Sequence, residues 1–168
     1  MDVAALLLEL YGRIPPLARE AVDGLDADQL NERPRPGTNS IGWLVWHLTR
    51  VQDHHMSEIL ESRQIWVAGD WAGRCGLAPD PSNIGFGHSA AEASAVQPES
   101  SDVLLEYLDA VDQRTRSALE RLVEANLDRI VDRRWDPPVT LGVRLVSIAD
   151  DNLQHLGQAA YVRGLLHM

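Results

Sequence analysis

Apolar side chains recur every three or four residues in four stretches of this chain, a spacing that places them on one face of an α-helix. The stretches cover residues 3–22, 41–64, 101–125 and 141–166. Polar residues occupy most of the intervening positions, so each predicted helix has one face for a core and one for solvent. The pattern predicts an all-α fold, a four-helix bundle that forms a single domain over residues 1–168.

The residues around these stretches support the assignment. Side chains that favour helix N-caps precede three of them, namely Asn39 or Ser40, Ser100 or Ser101, and Thr140. In the first stretch two consecutive prolines disfavour helical backbone at the residue before them, so a break is expected near Ile14. A further short helix is predicted over residues 25–30, with Asp26 as its cap.

Two connections differ from ordinary short turns. Residues 67–100 are rich in glycine, proline, serine and aspartate, and helical spacing is present only around 88–95. The second and third helices are therefore joined by a long crossover loop, and a connection of this length tends to be functional or mobile. Residues 126–140 are predicted to form an extended excursion that pairs locally as a hairpin.

Three potential metal ligands lie on two of the predicted helices. Asp151 and His155 are four residues apart, so on a helix they share a face with Cβ atoms roughly 5–6 Å apart. His47 lies on the apolar stripe of the second helix and is the best candidate for a ligand from a facing helix. Three protein ligands leave a coordination position open, as in catalytic metal sites. The pattern therefore predicts a divalent-metal site at His47, Asp151 and His155.

Each of these residues also fits an ordinary structural role. A histidine on an apolar stripe is commonly a core residue bonded to a neighbour, and Asp151 fits a solvated helix edge beside Asp150. A buried carboxylate is costly unless it is paired or bound to metal, which favours the metal hypothesis. Gln158, three residues after His155, is a candidate to hydrogen-bond that imidazole from outside the ligand set, with a surface glutamine as the alternative.

Several other polar and aromatic residues are expected near the surface. His54 and His55 are predicted to be exposed or to lie at the rim of the bundle, outside the metal site. Trp66 and Trp71 are expected to be exposed and to contribute to a dimer interface. Arg133 and Arg134 fit a solvated turn, with contact to an anionic substrate as the alternative.

Composition and charge exclude some classes of function. The net charge of −10 offers no electrostatic footprint for DNA or RNA. No stretch approaches the ~18–20 apolar residues that a membrane span needs, and the N-terminal region lacks the basic segment of a secretory signal. The single cysteine, Cys75, excludes an intrachain disulfide and is compatible with a reducing compartment. We expect a cytoplasmic protein that binds a small molecule and neither nucleic acid nor membrane.

Several segments of the chain resemble a known family. Residues 37–48, Gly-Thr-Asn-Ser-Ile-Gly-Trp-Leu-Val-Trp-His-Leu, are similar to the second-helix signature of the DinB-like superfamily. Residues 151–164 are similar to its fourth-helix signature. Residues 85–89 and 104–111 resemble an uncharacterised, mainly actinobacterial branch of the superfamily, which is related to mycothiol-dependent maleylpyruvate isomerases. The resemblance spans nearly the whole chain.

The resemblance implies a four-helix bundle with up-down-down-up topology, often a homodimer. It also implies a divalent metal, usually zinc or nickel, held by three side chains. Many members use three histidines, the last two spaced as His-x-x-x-His. His47 and His155 match that pattern, whereas Asp151 stands at the first position of the spaced pair. The isomerase branch is similar in having a carboxylate there, although as the longer glutamate.

Three functions fit these observations. The first is a metal-dependent enzyme, an S-transferase or isomerase, in which the ion lowers the pKa of a low-molecular-weight thiol. A mycothiol-type thiol is implied by the resemblance. The second is a metal-dependent hydrolase, which needs a general base that the helix pattern does not offer. The third is a non-enzymatic helical bundle that binds a partner or small molecule and has a vestigial or absent metal site.

Overall fold

The computed structural model describes residues 1–166, most of which are helical, and the predicted all-α class is confirmed. In chain order the elements are α1 (Val3–Tyr11), α2 (Ile14–Val22), α3 (Ala27–Asn31), α4 (Ile41–Ile59), α5 (Trp71–Arg74), α6 (Ala90–Ala95), α7 (Ser101–Leu119), β1 (Ile130–Asp132), β2 (Val139–Thr140) and α8 (Leu141–Leu165). The two strands pair antiparallel, which gives the predicted hairpin. None of the helices described combines the length and the hydropathy that crossing a bilayer requires.

Polar side chains begin the helices where the sequence predicts. Ser40, Ser100 and Thr140 each accept a hydrogen bond from the backbone amide three residues later, at 3.1, 3.4 and 3.4 Å. Asp26 forms a reciprocal capping box with Gln29 at the start of α3. These bonds satisfy amides that have no partner inside the helix, and they fix where α3, α4, α7 and α8 begin.

The break expected near Ile14 is confirmed, because the chain turns at Gly12 and the two prolines then occupy the first turn of α2, where a missing amide is tolerated. The ends predicted for the second and third helices are wrong. α4 ends at Ile59, and Glu61 reverses the chain with a left-handed φ of 50°. α7 ends at Leu119. Apolar side chains beyond both ends still pack against the core, so the periodicity overestimates both helices.

Buried hydrogen bonds connect the long helices. α4 packs against α7 and α8, and α2 packs against the same two helices. The Gln52 side chain on α4 donates to Thr115 on α7 at 2.9 Å and accepts from Asn152 on α8 at 2.5 Å. The Tyr11 hydroxyl on α1 donates to the Leu145 carbonyl on α8 at 2.7 Å. These bonds fix the registers of α4 and α8, the two helices that carry the predicted metal ligands.

The connection from α4 to α7 contains α5 and α6 and folds back over the core. Trp66, predicted to be exposed, is fully buried, so that prediction is wrong. Its ring packs against Trp46 and Tyr107, with centroids 6.1 and 5.5 Å apart, and the Arg50 guanidinium lies 4.9 Å from its centroid. Burial of an aromatic ring beneath a cation stabilises this return of the chain.

Candidate metal centre

α4 and α8 bring the three predicted ligands together. His47 lies in the second turn of α4, and Asp151 and His155 lie one turn apart on α8. One ligand atom from each residue lies within 4.8 Å of the other two. The two imidazole rings meet edge to face with centroids 4.7 Å apart, and His155 Nε2 is 3.5 Å from Asp151 Oδ1. This cluster, here called the triad, is small enough for a single ion to contact all three residues.

A loop carbonyl orients the imidazole of His47. The ring stacks on Trp43 with centroids 4.6 Å apart, and its Nδ1 lies 2.5 Å from the carbonyl oxygen of Ile84. Because a carbonyl only accepts, Nδ1 carries the proton and Nε2 keeps its lone pair. Gly85 makes this approach possible, since it has a φ of +90° and a Cβ there would lie 2.6 Å from His47 Nδ1.

Gln158 orients the second imidazole in the same way. Its Oε1 accepts a hydrogen bond from His155 Nδ1 at 2.9 Å, from one turn further along α8. Histidines that bind metals usually donate their other ring N–H to an oxygen acceptor, which fixes the tautomer and the ring angle. With Nδ1 engaged in both rings, Nε2 of His47 and Nε2 of His155 are the atoms available to an ion.

Asp151 supplies the most direct test of whether an ion fits. Its Oδ2 is buried and has no hydrogen-bond partner within residues 1–166. A buried carboxylate oxygen without a partner is unfavourable unless a proton or a cation satisfies it. Two imidazole nitrogens and one carboxylate oxygen are a donor set that suits zinc or nickel. The residues therefore fit a divalent ion.

The pKa values of His47 and His155 are shifted in opposite directions. Burial lowers the pKa of His47, against the opposing effects of the Ile84 hydrogen bond and the Asp151 charge. Burial also disfavours the charged form of His155, but hydrogen bonds to Asp151 and Gln158 outweigh it and its pKa is raised. A proton on His155 would consequently compete with a metal ion for its Nε2.

The triad opens on a cavity of about 480 Å³. Besides His47 and Asp151, its walls comprise the apolar residues Val51, Ile84, Phe86 and Trp135 and the polar residues His54, His55, Asp132, Arg134 and Arg144. A cavity of this size with a few convergent polar groups suits a small organic ligand. The open side of the triad therefore faces a space where a ligand can bind.

A second cluster of potential ligands lies further along α4. His54, His55 and Glu58 also place ligand atoms within 4.8 Å of one another, and both histidines lie at the rim, mostly covered. The Glu58 carboxylate is already engaged, because it accepts hydrogen bonds from His55 and from Arg134, each at 3.0 Å. Arg144 approaches the other nitrogen of His55 at 3.4 Å. Two neighbouring guanidinium groups repel a cation, so this cluster is a poor metal site.

Sequence reasoning missed the anchor that holds the Ile84 carbonyl in place. The guanidinium of Arg50, fully buried on α4, donates to two backbone carbonyls of the loop, that of Asn83 at 3.0 Å and that of Pro81 at 3.1 Å. His88, which follows Ile84 in the loop, donates a hydrogen bond to the side chain of Asn83, which precedes it, at 2.8 Å. An arginine inside an apolar stripe was the available signal, because a buried arginine needs several acceptors.

Asp53 completes this network and was also missed. It is fully buried, on the side of α4 that meets α7. Its carboxylate accepts hydrogen bonds from the backbone amides of Ile65 and Trp66, at 3.0 and 2.8 Å, and from Arg114. The Tyr107 hydroxyl donates to it at 2.7 Å. Asp53 is thus a structural carboxylate that organises the loop.

The fold and the site define a class, an all-α protein with a two-histidine, one-aspartate cluster between two long helices. The sequence profile of the DinB superfamily matches residues 11–159, so the chain belongs to the DinB superfamily. A crystal structure of a conserved protein from Enterococcus faecalis is similar, with 33% sequence identity and a TM-score of 0.89 over 98% of this chain and 97% of that one. Comparison with curated proteins finds no significant match.

Proposed function

We propose that this chain is a metal-dependent enzyme in which His47, Asp151 and His155 hold one divalent ion, zinc or nickel. The observation that carries the proposal is the buried Asp151 Oδ2, which has no partner within the described residues and lies beside two imidazoles. Both imidazoles are already hydrogen-bonded through Nδ1, so their Nε2 atoms need no rearrangement to bind an ion. Such preorganised ligands lower the cost of binding.

We propose further that a low-molecular-weight thiol of the mycothiol type occupies the open position, for S-transfer or isomerisation. A bound divalent ion acts as a Lewis acid that lowers the pKa of such a thiol. The resemblance of residues 85–89 and 104–111 to the branch related to mycothiol-dependent isomerases supports this. The chain's own thiol is unsuited, since Cys75 is buried and burial raises its pKa to about 12.

Calorimetric titration of mycothiol into the zinc-loaded protein tests the thiol role, with S-methyl mycothiol as the control ligand. The proposal expects the free thiol to bind and to release a proton, and the methylated thioether to bind at least about tenfold more weakly, a difference of 1.4 kcal/mol. If neither ligand binds while the metal content stays intact, or if both bind equally, the thiol role is rejected.

The same proposal includes the arrangement of the helices. We infer that α1 with α2, α4, α7 and α8 form a four-helix bundle of up-down-down-up topology, and that two chains form a homodimer, as the family resemblance implies. Packing of both α2 and α4 against α7 and α8 supports the bundle. Sedimentation equilibrium of the purified protein tests the dimer, and a monomer at all micromolar concentrations contradicts it.

A metal-dependent hydrolase is the second candidate. The observation that favours it is the pair His55 and Glu58, because His55 lines the cavity and its Nδ1 is oriented by the Glu58 carboxylate at 3.0 Å. An imidazole oriented by a carboxylate can act as a general base. A panel of esters and amides tests it, and this function requires hydrolysis that is lost in both His47→Ala and His55→Ala.

A further inference from the structure

Two arginines line the cavity beside the triad, although the chain as a whole carries a net charge of −10. Arg144 projects from the first turns of α8 and is largely covered, with 12% of its side chain exposed. Arg134 comes from the hairpin and is 64% exposed. A largely covered and a largely exposed guanidinium thus meet at one wall of the same cavity.

Asp132 holds both guanidinium groups in position. It accepts from Arg144 Nη2 at 2.7 Å, and from Nε and Nη2 of Arg134 at 2.8 and 2.9 Å. Arg134 Nη2 also donates to Glu58, which is not part of the cavity wall. The cavity wall carries two carboxylates and two guanidinium groups, and of the two carboxylates only Asp132 is paired with the arginines, whereas Asp151 lies with the triad. Among the described residues the bonds of Arg134 use Nε and Nη2, which leaves Nη1 for a ligand.

Four residues of the cavity wall are apolar, and two of them are highly exposed aromatic side chains. Phe86 and Trp135 are 87% and 63% exposed, and both line the cavity together with Val51 and Ile84. Large aromatic side chains left open to water beside a cavity mark a place where an apolar group binds. Phe86 lies two residues after Ile84, whose carbonyl orients His47, so this apolar wall is contiguous with the triad.

We propose that this cavity binds a small organic carboxylate, with its charged group held by Arg144 and Arg134 and its apolar body against Phe86 and Trp135. A charged guanidinium N–H binds a carboxylate oxygen more strongly than it binds a neutral amide, and Nη1 of Arg134 is such a donor. The inference rests on the proposed function for its chemical use, since the carboxylate belongs either to the electrophile or to the thiol. Binding itself requires only the two arginines.

Calorimetric titration of hydrocinnamate tests this site, with the uncharged hydrocinnamamide as the matched ligand. The acid is expected to bind at least about tenfold more tightly than the amide, to both the metal-free and the zinc-loaded protein. Arg144→Gln is expected to remove that preference and leave amide binding unchanged. Arg74→Gln is the control variant, because Arg74 pairs with Glu99 and Glu106 away from this cavity.

Three results overturn the inference. The first is equal affinity for the acid and the amide. The second is a loss of acid affinity in Arg74→Gln as large as that in Arg144→Gln. The third is binding of the acid to the zinc-loaded protein alone. The last result makes the carboxylate a ligand of the metal. If circular dichroism shows that Arg144→Gln does not fold, the exposed Arg134→Gln takes its place, with at least about a threefold loss of acid affinity expected. Full acid affinity in a folded Arg134→Gln then overturns the inference.

The same titrations separate this site from the metal hypothesis. A protein that takes up no zinc but binds hydrocinnamate through Arg144 rejects the proposed function and keeps the carboxylate site. Mercaptoacetate, a thiol that carries a carboxylate, shows which reactant supplies the carboxylate in the zinc-loaded protein. If the thiol supplies it, mercaptoacetate competes with hydrocinnamate, and the affinity for mercaptoacetate depends on Arg144. If the electrophile supplies it, the two ligands bind at the same time, and only the affinity for hydrocinnamate depends on Arg144. Absence of any Arg144 dependence overturns the inference.

Discussion

Asp53 and Asp151 are both carboxylates set among the packed helices, and their surroundings differ sharply. Asp53, on α4, is fully buried, and both its oxygens accept hydrogen bonds, from the Ile65 and Trp66 amides and from the Tyr107 hydroxyl. Asp151, on α8, keeps a buried oxygen that has no partner among residues 1–166. A carboxylate with every oxygen paired holds a structure together, whereas one with an open oxygen marks where something else must bind.

The two regions are nevertheless connected. The network of Asp53 and Arg50 fixes the loop whose Ile84 carbonyl orients His47 in the triad. The Asp53 network, whose hydrogen bonds are complete, therefore supplies rigidity, and the triad keeps the Asp151 oxygen available for a ligand. Functional sites commonly give up local stability in this way while the surrounding structure compensates.

The largest expected effect is on stability, and it separates the two aspartates. Asp53→Ala leaves the buried Arg50 and the largely covered Arg114 without their carboxylate, so the free energy of unfolding is expected to fall by about 3–5 kcal/mol. Asp151→Ala in the metal-free protein removes an unsatisfied group and is expected to cost less than about 1 kcal/mol. Urea denaturation of both variants measures the difference. Equal losses in the free energy of unfolding of the two variants contradict the proposed difference between Asp53 and Asp151.

A smaller effect is expected from the loop that connects the two centres. Gly85→Ala is strained by its φ of +90° and also places a Cβ 2.6 Å from His47 Nδ1, so it displaces the imidazole. Gly87→Ala has a similar φ of +75° but meets nothing within 4 Å, which makes it the matched control. Gly87→Ala is expected to lose about 1–2 kcal/mol of stability, and Gly85→Ala more, because its Cβ also lies 2.9 Å from the Trp46 ring.

Only Gly85→Ala is expected to weaken zinc affinity as well, by about tenfold or more, since the displaced ring loses its orientation. Competition with a chromophoric chelator measures that affinity in the two variants. If Gly87→Ala weakens zinc binding as much as Gly85→Ala, the Ile84 carbonyl has no orienting role.

The contact of Gln158 with His155 predicts an effect on metal affinity with little effect on stability. Gln158→Leu removes the acceptor at 2.9 Å from Nδ1, and zinc affinity is expected to fall about 10- to 100-fold. Gln154→Leu, one turn earlier on the same helix and bonded to Asp150, is the control and is expected to leave zinc affinity unchanged. Similar zinc affinity in both variants removes Gln158 from the site.

The smallest effect concerns the chain's own thiol. Burial raises the pKa of Cys75 to about 12, so little thiolate exists at neutral pH and alkylation by iodoacetamide is expected to be slow. The thiolate fraction and the rate are expected to rise with pH toward that value and to become normal in denaturant. Mass spectrometry of timed samples measures this. Rapid alkylation of the folded protein at neutral pH makes Cys75 a rival to an external thiol.

Local patterns were sufficient for part of this structure. Helix caps such as Ser40 and Thr140 act within a few residues, and the shared face of Asp151 and His155 follows from helical spacing alone. The position of His47 on an apolar stripe indicated that it faces another helix. These three residues were therefore predicted as a group, and the structure places them together.

The remaining features depend on contacts between distant parts of the chain. The carbonyl of Ile84 orients His47, and a backbone atom in an irregular loop has no signature in the sequence. The sequence predicts an exposed Trp66, yet Arg50 and Asp53 draw the connection after α4 onto the core. Side chains that bond to loop backbone cannot be assigned before the path of the loop is known.

Metal content tests the central claim most directly. Protein purified without chelators and dialysed against excess zinc or nickel is analysed by atomic emission, as wild type, His155→Ala and the control His54→Ala. The account predicts close to one mole of metal per mole of protein for wild type and His54→Ala, and almost none for His155→Ala. Wild-type protein that retains no metal, or His155→Ala that retains all of it, contradicts the account.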